Sequence, residues 1–310
     1  MSDQTIPSDR DERPHPPELA RRRLFKQATV GAAALSAFAL QNSVFAKAAS
    51  AATTPAALTD PDILNFALNL EYLEAEFYLR GAYGYGLGAA DISGTGTLGT
   101  VTGGSKVTFT SALYQQYAQE VAQDELSHVR FLRAALGTQA VARPSIDLKT
   151  SFTTAAIAAG VISPGQTFDP FANEANFLVA AFIFEDIGVT AYNGAATFIT
   201  SKDYLQAAAS ILAVEAYHAG SVRTMLIGNG ITDAPNKISA LRAAASEAVG
   251  GSGAGDDQGV TVKGVSNVVP ADSNALAFAR TPSEVLNIVY LGGASAGYGF
   301  FPNKLNGTIN

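Results

Sequence analysis

Residues 125–128 read Glu125-Leu126-Ser127-His128, and residues 215–218 read Glu215-Ala216-Tyr217-His218. Each places a glutamate and a histidine three apart, so on a helix both side chains lie on one face and can aim at one point. Two more glutamates, Glu71 and Glu185, stand upstream, and each is followed seven residues later by a tyrosine, Tyr78 or Tyr192. The chain therefore runs through a Glu-x6-Tyr segment, a Glu-x-x-His segment, and then the same pair again. This is a two-fold internal repeat, as a bundle built from two helix pairs requires.

The apolar periodicity around these residues is helical. Leu64, Leu68, Glu71, Ala75 and Tyr78 advance by four, three, four and three, and Leu178, Phe182, Glu185, Val189 and Tyr192 do the same. Ala118, Val121, Glu125, His128 and Leu132 form a third stripe, and Ala208, Ile211, Glu215, His218 and Val222 a fourth. In each case the acidic residue interrupts the stripe that should face the core, not the solvent face where a charge normally lies. Start and stop signals bound the helices. Asp60-Pro61-Asp62 opens a first helix to about Tyr83, and Thr110 or Ser111 caps a second to Leu136, stopped by Gly137. A third runs from about Asn173 to Ile199, and a fourth from Ser201-Lys202-Asp203 to near Gly228. Residues 84–109 are rich in Gly, Thr and Ser and read as a long loop with room for a short hairpin. Residues 138–171 form a long crossover carrying Pro144, Pro164 and Pro170. Beyond the bundle, 235–248 reads as a fifth helix. Thr281-Pro282-Ser283-Glu284 opens a last short one with a capping-box signature.

The expected fold is thus all-α: a four-helix bundle with one long crossover over 59–230, plus a helical and irregular C-terminal extension over 231–310. Composition agrees and excludes other classes. Of the 310 residues 47% are hydrophobic and 15% charged, which suits a large buried core. The net charge of −7, with no basic stripe in the body of the chain, offers nothing to nucleic acid. The absence of cysteine removes disulfides, thiolate metal sites and a cysteine nucleophile. His128 and His218 are the only histidines after residue 15, and both lie in the Glu-x-x-His motifs. Four carboxylates balance two divalent cations, with each imidazole capping one ion. Left without metal, four carboxylates in one core would each cost several kcal/mol. The expected ligands are Glu71, Glu125, His128, Glu185, Glu215 and His218, holding two iron or manganese ions. Tyr78 and Tyr192 are candidates for bonding the ligands or for redox chemistry. Asp124 and Asp186, each beside a ligand, are candidate outer partners, whereas Glu74 and Glu76 read as surface or outer groups.

Residues 1–46 read as an export signal. Arg21-Arg22-Arg23-Leu24-Phe25-Lys26 precedes an apolar run from Ala28 to about Leu40, and Val44-Phe45-Ala46 gives a small-residue cleavage pattern. The apolar run is shorter than the roughly 20 residues that span a bilayer, so no membrane span is expected after cleavage. The basic string resembles the twin-arginine type. That resemblance implies passage through the twin-arginine machinery as a folded, cofactor-loaded protein to a periplasmic or otherwise exported location. Residues 47–58, rich in Ala and Thr, read as a tether.

With these residues in view the chain resembles the ferritin-like superfamily, which includes bacterioferritin, rubrerythrin and manganese catalase. Asn69-Leu70-Glu71 through Tyr78-Leu79 is similar to the first ferroxidase helix of bacterioferritin, and Glu125 through Leu132 to its second. The nearer likeness is to the desiccation-related, ferritin-like domain subgroup. It extends to Thr281 through Tyr290 and to Phe300-Phe301-Pro302-Asn303-Lys304-Leu305-Asn306-Gly307, and so covers roughly residues 58–310. The resemblance implies a dimetal-carboxylate centre meeting peroxide or dioxygen, with catalase-, peroxidase- or ferroxidase-like activity in oxidative or desiccation stress. The alternative is a metal-binding or structural protective protein without turnover. The 84–109 insertion and the C-terminal extension argue against a ferritin cage, while leaving smaller homo-oligomers open.

Overall fold

The computed structural model describes residues 58–255, 257–293 and 297–310. The expected export signal over 1–46, and all but the last residue of the 47–58 tether, lie outside the described residues.

Helix α1 (Asp60–Tyr83) begins on a capping box. The Thr59 side chain accepts from the Asp62 N–H, and the Asp62 carboxylate accepts in return from the Thr59 N–H. It ends at Gly84, whose φ of 88° needs a residue without Cβ. After a short helix α2 (Ala89–Ile92), helix α3 (Ala112–Leu136) starts on the Ser111 side chain. In the crossover lies α4 (Thr150–Ala158). Asn173 caps α5 (Glu174–Ala195) and Ser201 caps α6 (Lys202–Gly228). The extension adds α7 (Asp233–Glu247) and α8 (Pro282–Val289), the latter on a Thr281–Glu284 capping box. The four long helices pack as two pairs, α1 with α3 and α5 with α6, on either side of the crossover. The bundle is the one expected from the four stripes.

Two details depart from the sequence reading. The Gly-rich insertion forms no hairpin. Its strand β1 (Val101–Gly103) pairs in parallel with β2 (Ile146–Leu148) from the crossover, with Val101 opposite Ile146. Before that pair, Thr95 N–H donates to Ala140 O, Ala142 N–H to Thr95 O, and Gly99 N–H to Arg143 O. The insertion thus finds partners for its backbone groups in a chain forty residues away rather than in itself. Glycine permits the approach, since a Cβ at Gly99 would stand 2.0 Å from Ser145 N. Secondly, α4 occupies part of the long crossover, where the sequence names no helix. Its Phe152 is fully buried and packs at 5.8 Å from Phe77, 5.5 Å from Phe184 and 5.0 Å from Phe300.

The core is continuous through bundle and extension. Phe77 stacks on Phe177 at 4.7 Å, and Phe300 and Phe301 from the tail are buried in the same cluster. Helix α5 is apolar all round and buried on nearly every face, as a central core helix should be. A buried ionic network joins it to its neighbours. Asp186 on α5 accepts from Arg223 of α6 at 2.9 and 2.7 Å and from Arg242 of α7 at 2.7 Å. Asp257 accepts in turn from Arg242 and from Arg280. Both carboxylates are fully engaged, so the desolvation of these charges is offset by paired, hydrogen-bonded partners.

Candidate metal centre

All six expected ligands converge at mid-height in the bundle. Glu71 comes from α1, Glu125 and His128 from α3, Glu185 from α5, and Glu215 and His218 from α6, and all six are buried. Two overlapping quartets result, each with one ligand atom per residue and all four atoms within 4.8 Å of one another. Glu71, Glu125, His128 and Glu215 make one, and Glu125, Glu185, Glu215 and His218 the other. Glu125 and Glu215 belong to both. The glutamates of the Glu-x-x-His motifs are therefore the shared groups, and Glu71 and Glu185 the terminal ones.

The fit to cations rests on unsatisfied atoms. Nine buried side-chain nitrogen or oxygen atoms lack a hydrogen-bond partner among the described residues. Eight belong to these six residues: Glu71 Oε2, both oxygens of Glu125 and of Glu215, Glu185 Oε2, and Nδ1 of His128 and of His218. His128 Nδ1 lies 3.2 Å from Glu71 Oε2 and 3.4 Å from Glu125 Oε2 and Glu215 Oε1. His218 Nδ1 lies 3.1 Å from Glu125 Oε1 and 3.5 Å from Glu185 Oε2. Lone pairs that face one another without a proton geometry to join them, in a buried site, are what a shared cation would satisfy.

Electrostatics without a cation tell the same story. Burial raises Glu71 to about 7, against the pull of His128. Burial and the neighbouring Glu125 hold Glu215 well above the carboxylate range, and burial raises Glu185 against the pull of His218. Only Glu125 is lowered: its desolvation is outweighed by the closeness of His128 and His218. Burial disfavours charge on the two imidazoles, yet the carboxylates around them hold both well above the usual histidine range. The metal-free centre thus gathers protons where positive charge is wanted.

The groups around the ligands were only partly legible. Tyr78 Oη donates to Glu185 Oε1, and Tyr192 Oη to Glu71 Oε1. Each half of the repeat therefore holds the terminal carboxylate of the other half, because α1 and α5 cross the site antiparallel. Burial and the adjacent carboxylate raise both phenols well above their ordinary range, so they stay protonated donors. Tyr117, which the sequence reading missed, places its Oη 3.4 Å from both Tyr78 Oη and the His218 carbonyl. It lies one turn before Val121 on the α3 stripe, and that spacing was its only signal. Asp124 reaches His218 Nε2 at 3.2 Å and fixes that ring. Asp186, the other candidate outer partner, is committed to Arg223 and Arg242 instead. Glu76 is no surface group; it is buried and paired with Arg80 at 2.9 Å and with Arg143. Glu74 is also buried.

A four-helix bundle with a long crossover and a shared carboxylate–histidine centre defines the ferritin-like class. The comparisons agree: the family model for the ferritin-like domain matches residues 59–228. The chain belongs to this family, in its desiccation-related subgroup. It is 31% identical to desiccation-related protein PCC13-62 of Craterostigma plantagineum over 246 residues, covering 74% of this chain and 76% of that protein. It is 29% identical to ferritin-like catalase Nec2 of Nesocodon mauritianus over 272 residues, covering 81% and 84% of the two. No solved structure matches the chain significantly.

Proposed function

We propose that the protein is an exported dimetal-carboxylate oxidoreductase that consumes peroxide, with two iron or manganese ions as its cofactor. The observation that carries this reading is the set of eight orphaned, buried ligand atoms drawn from all six residues. Glu125 and Glu215 would hold both ions, Glu71 with His128 one, and Glu185 with His218 the other. An ion pair so held supplies two-electron redox chemistry on a small oxidant. The relative named as a ferritin-like catalase favours peroxide as that oxidant, the balanced reaction being two peroxides to two waters and one dioxygen.

This chain's own residues would orient and tune. Tyr78 and Tyr192 fix Glu185 and Glu71 through one oxygen and leave the other free for the ion. Asp124 fixes His218 and leaves Nδ1 facing the centre. Export through the twin-arginine route, which delivers folded and loaded protein, is supported by Arg21-Arg22 and the residues after them.

The test is the metal content of protein purified without added metal, by elemental mass spectrometry, followed by oxygen evolution from peroxide. About two iron or manganese ions per chain and dioxygen release are expected, both lost in Glu125→Ala/His218→Ala. Bound metal without peroxide turnover would instead support the protective, non-catalytic reading that the desiccation-related relative's name favours.

A further inference from the structure

The repeat is broken at one place inside the centre. On α1 the ligand Glu71 is followed three residues later by Glu74, whereas on α5 Glu185 is followed three residues later by Gly188. These two positions meet. Since Tyr78 bonds Glu185 and Tyr192 bonds Glu71, the midpoint of the antiparallel crossing falls between residues 74–75 on α1 and 188–189 on α5. A Cβ at Gly188 would stand 2.5 Å from Glu215 Oε2 and 3.5 Å from Glu74 Oε1. Both carboxylates therefore occupy the space that a side chain on α5 would fill.

Glu74 is 5% exposed, and among the described residues no group donates a hydrogen bond to it. The charged groups acting on it most are Glu215, Glu125, Glu71 and Glu185, all carboxylates of the centre. The other buried carboxylates beyond the six ligands have cations or hydrogen-bond donors: Glu76 has Arg80 and Arg143, Asp186 has Arg223 and Arg242, and Asp257 has Arg242 and Arg280. Asp91 has Arg130, and Glu284 has the Thr281 N–H and hydroxyl. A buried carboxylate whose strongest charged neighbours are all carboxylates, and which accepts no hydrogen bond among the described residues, has no compensating partner there.

Resting on the dimetal reading, we infer that Glu74 is a seventh protein ligand, a fifth carboxylate that reaches the ion pair from the helices that carry no histidine. Gly188 is the vacancy that admits it. The centre is then asymmetric, with the added carboxylate contributed by one half of the repeat alone. Five carboxylates leave two divalent ions one charge short of neutrality and two trivalent ions one charge over. Glu74 thus favours the oxidised pair and makes the Glu71 and Glu185 halves inequivalent.

The experiment compares wild type, Glu74→Gln, Glu74→Ala and Glu125→Ala, each loaded with manganese or iron. It reads metal stoichiometry, the rate of metal loss to excess chelator, the reduction potential of the pair, and the melting temperature of the metal-free forms. Glu74→Gln should lose metal about 10- to 100-fold faster than wild type. Its potential should rise, and its metal-free form should melt no lower than wild type. That combination separates a ligand from a packing group, which would lower the melting temperature and leave the potential alone. Wild-type release and wild-type potential in both Glu74 variants, with two ions still bound, would overturn the inference and leave the dimetal centre standing. No metal in wild type under any loading would overturn both.

Discussion

At the scale of single residues, function depends on which carboxylate oxygens are held and which are left free. Tyr78 and Tyr192 each occupy one oxygen of a terminal glutamate across the bundle. Tyr78→Phe and Tyr192→Phe should each weaken metal affinity by roughly 10-fold, measured by competition with a chelator, because the freed carboxylate loses its fixed aim. Proton balance at the same residues sets a pH dependence. In the metal-free protein Glu71 is raised from 4.5 to about 7, so its contribution to stability is present below the unfolded value and is lost as pH rises through 7. Both histidines are raised as well, and their contribution is likewise lost on the alkaline side. Cations displace those protons. The gain in melting temperature on adding metal should therefore be larger at pH 8 than at pH 5; an equal gain at both would show that the ion does not replace protons here. The gathering of the six candidate ligands and two tyrosines was readable from spacing, because a helix face turns a three- or seven-residue interval into adjacency. The crosswise pairing of tyrosine with glutamate was not readable, since it depends on the direction in which α1 passes α5.

At the scale of elements, the helices were legible because each carries its own start and stop chemistry. Ser111, Asn173, Ser201 and Thr281 cap at or beside the starts the sequence gives, while the first helix is capped by Thr59, one residue before the expected Asp60-Pro61-Asp62 start. The connections were less so. The Gly-rich insertion pairs with the crossover because residues 95–103 and 140–148 come alongside only once the bundle has formed. Gly99→Ala should cost about 1–3 kcal/mol in denaturant unfolding, since its Cβ would collide with the backbone at Ser145. The extension is tied to the bundle by charge as well as packing. Asp186 stood out in the sequence only as the neighbour of Glu185, and nothing local indicated that Arg223 and Arg242 would enclose it. Asp186→Ala should cost about 3–5 kcal/mol by leaving the buried Arg223 guanidinium without a carboxylate and Arg242 with Asp257 alone. Thermal unfolding checks this, and a loss below 1 kcal/mol would mean that the network is not cohesive.

At the scale of the whole molecule, a two-fold repeat of helix pairs builds a centre that neither half could build alone. Every candidate ion position draws on both halves, because Glu125 and Glu215 come from different ones. A storage cage is not required for such a centre, and the insertion and extension cover bundle surface instead. If the twin-arginine reading of residues 1–46 holds, replacing Arg21 and Arg22 with lysine should leave the protein uncleaved and unexported, as read by fractionation. The central claim is that two cations share Glu125 and Glu215. Anomalous diffraction from crystals loaded with manganese or iron tests it most directly. The account predicts two peaks about 3.5–4 Å apart, one beside Glu71 and His128 and the other beside Glu185 and His218, with Glu125 and Glu215 touching both. A single peak, or peaks away from these six residues, would contradict it.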